Sequence, residues 1–126
     1  MVRINLTGQL TTLKDTDFEE LMGWVMRKRR RFRVTGYSMA PLLKPGEEVL
    51  IDPLAYSAQS PEPGDIVVAE HPERPEFRLI KRVVAVLDSG DCILIGDNSS
   101  ESTDSRNFGA VPPHKIMGRV TSRFAS

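Results

Sequence analysis

Two residues in this sequence have types and settings that suit nucleophilic chemistry. The first is a serine beside a permissive turn, and the second is a lysine within an apolar run. Ser38 stands in Gly36-Tyr37-Ser38-Met39-Ala40-Pro41, where Gly36 permits a turn that can present both the hydroxyl and the backbone N–H of Ser38. A serine hydroxyl needs a base, and a lysine amine serves as one when it is held neutral. Lys81 lies in Leu79-Ile80-Lys81-Arg82-Val83-Val84, and desolvation among such neighbours favours the neutral amine. Each residue also has a plainer reading, Ser38 as a loop cap and Lys81 as an edge-strand lysine turned to water. Strand alternation sends Lys81 and Arg82 to opposite faces without saying which one is buried. Other chemistries have less footing. His71 and His114 lie in proline-bearing loops without partners at metal-ligand spacing, and Cys92 reads as a small core residue. No bound metal or cofactor is expected. Neither phosphate-binding glycine pattern is present, so nucleotide binding has no footing.

The elements that position these residues follow from periodicity. Asp15, Thr16 or Asp17 can cap a helix, and Phe18, Leu21, Met22, Val25 and Met26 then recur at helical spacing to give one apolar face. The helix is expected from about Thr16 to Arg30, with Lys28 to Arg31 in its last turn. Strands follow at Phe32–Thr35, Glu48–Asp52, Asp65–Glu70, Phe77–Leu87, Asp91–Ile95 and Ile116–Val120, punctuated by Gly and Pro. The fold class is mainly β, a small antiparallel barrel or folded sheet with one N-terminal amphipathic helix. Residues 1–126 read as one domain, with a helical segment at 1–31 and a β-rich core at 32–126. The stretch from Asp97 to Val111 has no periodicity and reads as an ordered functional loop.

With 126 residues and 40% of them apolar, the chain can build a core. Its 17 basic and 17 acidic residues cancel, so net charge gives no reason to expect nucleic-acid binding. The first 40 residues hold eight basic and four acidic side chains, mostly because of the run from Arg27 to Arg33. That run reads first as a solvated helix end, with peripheral contact to anionic lipid as the alternative. No apolar stretch approaches the roughly 20 residues of a spanning helix, and the first residues lack a secretory leader. With a single cysteine, this points to a soluble, cytoplasmic protein.

Three motifs in order resemble signal peptidase I and its relatives: Gly36-x-Ser38-Met39-x-Pro41, then Lys81-Arg82-Val83, then Gly96-Asp97-Asn98 with Ser102-x-Asp104-Ser105-Arg106. Order and spacing agree across residues 36–120, about two-thirds of the chain. The resemblance implies a serine endopeptidase in which Ser38 attacks and Lys81 takes its proton. It implies that Ser102 orients the amine, that the Ser38 N–H donates to the oxyanion, and that Met39 and Pro41 border the substrate. Asp104 and Arg106 would form an ion pair behind the site, with Asp97 and Asn98 holding the loop. Some family members supply a second oxyanion donor from a serine at the position of Gly36, which this chain lacks. Among small relatives the run from Arg31 to Gly46 is most similar to the nickel-type superoxide dismutase maturation proteases. On that reading the partner is a protein precursor whose N-terminal extension is removed, and nickel belongs to the substrate. A general signal peptidase without its anchor and a self-cleaving repressor-type domain are the alternatives. Against the repressor, no Ala-Gly or Cys-Gly bond precedes Ser38.

Overall fold

Runs of Val, Ile and Leu broken by Gly and Pro turns assemble into one folded antiparallel sheet. The computed structural model describes residues 3–4 and 13–124. The reading of the first residues as free of a leader lies outside them. The strands are β1 (Arg3–Ile4), β2 (Arg30–Arg33), β3 (Glu48–Asp52), β4 (Ile66–Glu70), β5 (Arg78–Val86), β6 (Cys92–Ile95) and β7 (Ile116–Arg123). Their order is β1-β5-β4-β7-β3-β2, with β6 on the other edge of β5. The sheet does not close into a barrel. Register shifts at Leu50/Ile51, Val68/Ala69 and Val83/Ala85 mark the irregularities that bend it.

Bending gives β4 and β5 a buried layer on each face. Val34, Met39, Leu43, Val49, Ile66, Val68 and Ile80 pack on one side. Val67, Ala69, Val83, Cys92, Leu94 and Val111 pack on the other. β5 pairs with β4 along Arg78–Arg82 and with β6 along Arg82–Val86. Arg82 pairs with both neighbours, so the two strands lie on opposite edges of β5. The edge from Arg78 to Lys81 on the β6 side therefore has no strand partner among the described residues.

The helix α1 runs Phe18–Val25, shorter than the periodicity suggests. Asp17 caps it, its carboxylate accepting from Glu20 N–H at 2.9 Å. Arg27 ends it in the left-handed region at φ 63°, where Arg27 N–H donates to the Trp24 carbonyl and Lys28 N–H to that of Gly23. The expected cations of the last turn thus lie beyond the helix, and Arg30 already belongs to β2.

The apolar face of α1 does not face the core. Glu20 is the helix residue that is buried. Its carboxylate accepts from Thr121 Oγ1, from Ser122 Oγ at 3.0 Å and from Arg29 Nε at 3.1 Å. At roughly 100° per residue, docking Glu20 on β7 turns Phe18, Leu21, Met22, Val25 and Met26 outward. Trp24 faces Phe124 edge-on at 5.8 Å, and the Arg31 guanidinium lies over both rings.

The segment after β6 is ordered by short turns. A 3-10 turn at Ser99–Glu101 precedes α2 (Ser105–Phe108), which Asp104 and Asn107 cap reciprocally.

Candidate active site

The Ser38 loop leaves β2 through buried Val34 and turns at Gly36, whose φ of 74° is a conformation that glycine adopts without strain. Ser38 is half-buried and Pro41 exposed. Met39 is fully buried in the core, and its Sδ accepts from Asp97 N–H at 3.5 Å. Its side chain lies beneath the loop as a support and lines no open surface. Asn98 fastens the loop from the other side, its N–H donating to the Ser38 carbonyl at 2.8 Å and its Nδ2 to that of Tyr37 at 3.0 Å. The Ser38 N–H donates to no backbone carbonyl of the described residues.

Lys81 lies opposite Val67 in the sheet, and Arg82 lies opposite Ile66. The two therefore occupy opposite faces as alternation requires. Both are buried nonetheless, at 4% and 2% exposure, because the bent sheet covers both faces of β5. Burial pushes the Lys81 amine below the ordinary lysine value; the Asp104 carboxylate opposes this and the Arg106 guanidinium adds to it. On the opposite face Arg82 grips Asp97 with two hydrogen bonds of 2.9 Å and reaches the Gly64 carbonyl at 3.1 Å.

Hydrogen bonds fix the direction of the amine. Ser102 Oγ donates to Asp104 Oδ2 at 2.6 Å and accepts from Lys81 Nζ at 3.2 Å. With its one proton directed to Asp104, Ser102 can act toward the lysine only as an acceptor. That engages one N–H of the amine and sets the direction of Nζ. Burial would raise the Asp104 carboxyl, but hydrogen bonds from Arg106, Ser102 and the Gly96 and Arg106 backbone N–H groups outweigh it and hold it well below the usual carboxylate range. The Arg106 guanidinium supplies two of these bonds, Nε to Oδ1 and Nη2 to Oδ2, both 2.9 Å.

Gly96 is where the parts converge. A β-carbon built there would stand 2.3 Å from Ser102 Oγ and 2.6 Å from the Ser38 carbonyl oxygen. The Ser38 backbone and the Ser102–Lys81 pair thus crowd the same side of one residue. Ser38 Oγ and Lys81 Nζ are not themselves hydrogen-bonded here; the partner of Lys81 is Ser102. Two contributors were not singled out in sequence. Arg82 enters the sequence reading only as the neighbour of Lys81 and within the motif Lys81-Arg82-Val83, and Gly96 only as the start of Gly-Asp-Asn. For Arg82 the available signal was a cation in an apolar strand with Asp97 as an acidic counterpart. For Gly96 no signal in one sequence separates close approach from an ordinary turn. Among the described residues no group of three or more His, Cys, Asp or Glu is placed to hold a metal.

The family model for signal peptidase, peptidase S26, matches residues 22–93 and 86–125. The chain belongs to that family. It is 39% identical over 112 residues to the mitochondrial ATP-independent inner membrane protease subunit 1b of Arabidopsis thaliana, covering 70% of this chain and 65% of that one. It is 29% identical over 138 residues to the human mitochondrial inner membrane protease subunit 1, covering 93% and 78%. It is 35% identical over 54 residues to signal peptidase I of Aquifex aeolicus, covering 43% and 21%. The chain thus spans just under two-thirds of the length of the Arabidopsis relative. The expected cytoplasmic location is overturned by the inner membrane protease relatives, whose names place them at the mitochondrial inner membrane. Nothing in those names points to nickel superoxide dismutase. Among the described residues no helix is long and apolar enough to cross a membrane.

Proposed function

We propose that this protein is a serine endopeptidase that removes N-terminal leaders from precursor proteins at a membrane, the mitochondrial inner membrane in its similar relatives. The observation that carries the reading is the buried Lys81 amine, disfavoured in its charged form and aimed by a Ser102 whose own proton goes to Asp104. In this reading Lys81 accepts the Ser38 proton as Ser38 Oγ attacks the scissile carbonyl, and the Ser38 N–H donates to the oxyanion. The tetrahedral intermediate collapses to an acyl-enzyme while Lys81 returns the proton to the leaving amine. Water, deprotonated by the same amine, then releases the leader. The unpaired β5 edge beside Lys81 suits a substrate segment added as a strand.

A general signal peptidase fits the relatives better than a protease dedicated to the nickel-type superoxide dismutase precursor. The decisive assay offers both substrates, a membrane-inserted preprotein and the nickel-enzyme precursor. Wild type should cut the preprotein at one bond, and Ser38→Ala, Lys81→Ala and Lys81→Arg should each fail, since a guanidinium stays charged at working pH. The Ser38→Ala/Lys81→Ala double variant should be no worse than either single one. Turnover by folded Lys81→Ala refutes the base, and cleavage of the nickel-enzyme precursor alone refutes the substrate class.

A further inference from the structure

The outward apolar face of α1 has no function in the peptidase reading. Phe18 is 76% exposed, Val25 62% and Met26 63%, with Leu21 and Met22 beside them. The opposite side of the helix is fixed to the sheet by Glu20, so the face cannot turn inward without breaking the Glu20 bonds to Thr121, Ser122 and Arg29.

At the C-terminal end of this face the chain presents Arg27, Lys28 and Arg30, all exposed. None takes part in an ion pair among the described residues, whereas Arg29, Arg31 and Arg33 are bound to Glu20 or Glu48. The acidic residues of the helix lie at its other end or beneath it. Asp17 is paired with Lys14, Glu20 is buried, and Glu19 sits in the first turn. An apolar stripe ending in free cations is the pattern of a helix lying in a lipid interface. Arg27 also occupies a left-handed cap where glycine would be unstrained, so charge is kept there against the local backbone preference.

We propose that α1 and the cations after it form a peripheral docking surface for an anionic phospholipid bilayer, with Phe18, Leu21, Met22, Val25 and Met26 in the acyl boundary and Arg27, Lys28 and Arg30 among the headgroups. The occupant is lipid because the patch joins exposed apolar area to unpaired positive charge. The inference stands on α1 and not on the peptidase reading. Cleavage in solution is unaffected if it fails, and docking remains if the peptidase reading fails.

The test is flotation of the full chain with vesicles of phosphatidylcholine alone or of equimolar phosphatidylcholine and phosphatidylglycerol, at low and high salt. Wild type should float with the anionic vesicles at low salt and much less with the neutral ones or at high salt. Arg27→Gln/Lys28→Gln/Arg30→Gln should lower partitioning by about a hundredfold. Val25→Ser/Met26→Ser should lower it by roughly tenfold or more. Both sets of positions are exposed, and circular dichroism checks that each variant folds. No flotation of wild type, or equal flotation of wild type and folded variants, overturns the proposal. So does a free wild type that sediments as a dimer and becomes monomeric in Val25→Ser/Met26→Ser, since a second copy then covers the face.

Discussion

Adding one methyl group at Gly96 should disable the site while leaving most of the fold in place. The new β-carbon would stand 2.3 Å from Ser102 Oγ, 2.7 Å from Ser102 Cβ and 2.6 Å from the Ser38 carbonyl oxygen. Ordinary contact begins at 3.4 Å, so these atoms must retreat by roughly 1 Å. Neither neighbour can yield freely. Ser102 Oγ is held between Lys81 and Asp104, and the Ser38 carbonyl is held by Asn98 N–H at 2.8 Å. Gly96→Ala should therefore separate the nucleophile from the base that is meant to serve it. A misplacement of about 1 Å costs on the order of a hundredfold in rate. Overpacking should cost about 1–3 kcal/mol in stability. The assay is kcat/KM on a quenched peptide spanning a junction the protein cuts, at a temperature where thermal unfolding shows the variant folded. Gly46→Ala is the control: its β-carbon meets nothing, but a φ of 89° strains it, so it should lose stability and keep its rate. A Gly96→Ala protein within threefold of wild type would refute the convergence argument.

Activity should rise with pH along a single limb whose midpoint lies below the ordinary lysine value of 10.5, because burial disfavours the charged Lys81 amine that cannot accept a proton. Arg106→Gln removes a cation that disfavours that charge and leaves Asp104 to favour it, so the midpoint should move to higher pH; a shift downward in the pH–rate profile would contradict the assignment. The Asp104 carboxyl is held low in the folded state, so its contribution to stability is complete above about pH 5 and fades as pH falls further. Acid unfolding of Asp104→Asn should accordingly show a shallower pH dependence than wild type. Arg82→Met or Asp97→Leu alone should cost about 3–5 kcal/mol in urea unfolding by stranding a buried charge, and the double substitution should cost less than either. Arg27→Gly should raise stability by about 1 kcal/mol, since the left-handed cap no longer strains a side chain, and an unchanged or lower melting temperature would count against it.

Much of the fold was legible because apolar β-branched runs and Gly/Pro punctuation report local structure directly. The strand segments around Glu48–Asp52, Ile66–Glu70, Arg78–Val86 and Cys92–Ile95 lie where the apolar runs and the turns between them place them. The helical pattern overstates the length of α1 because good helix formers continue to Arg31, and periodicity gives no sign of the left-handed Arg27 that ends the helix. The two-residue pairing of β1 with β5 has no signal of its own.

Which residue types are available for the chemistry, and in what order they come, can be read along the chain. Ser38, Lys81, Ser102, Asp104 and Arg106 could be named, as could the family, because motif spacing is a property of the chain. What each one touches depends on how distant segments meet in the folded sheet. Alternation left open whether Lys81 or Arg82 was inside, and bending the sheet answered that both are, each meeting its partners on a different face. Met39 became a buried support, and Gly96 became the point where the Ser38 loop and the Ser102–Lys81 pair press together. Helical spacing likewise shows that α1 has an apolar face without showing its direction. That direction was set by Glu20, whose carboxylate finds donors on β7 far along the chain, and non-local hydrogen bonds of this kind leave no trace in a helical period.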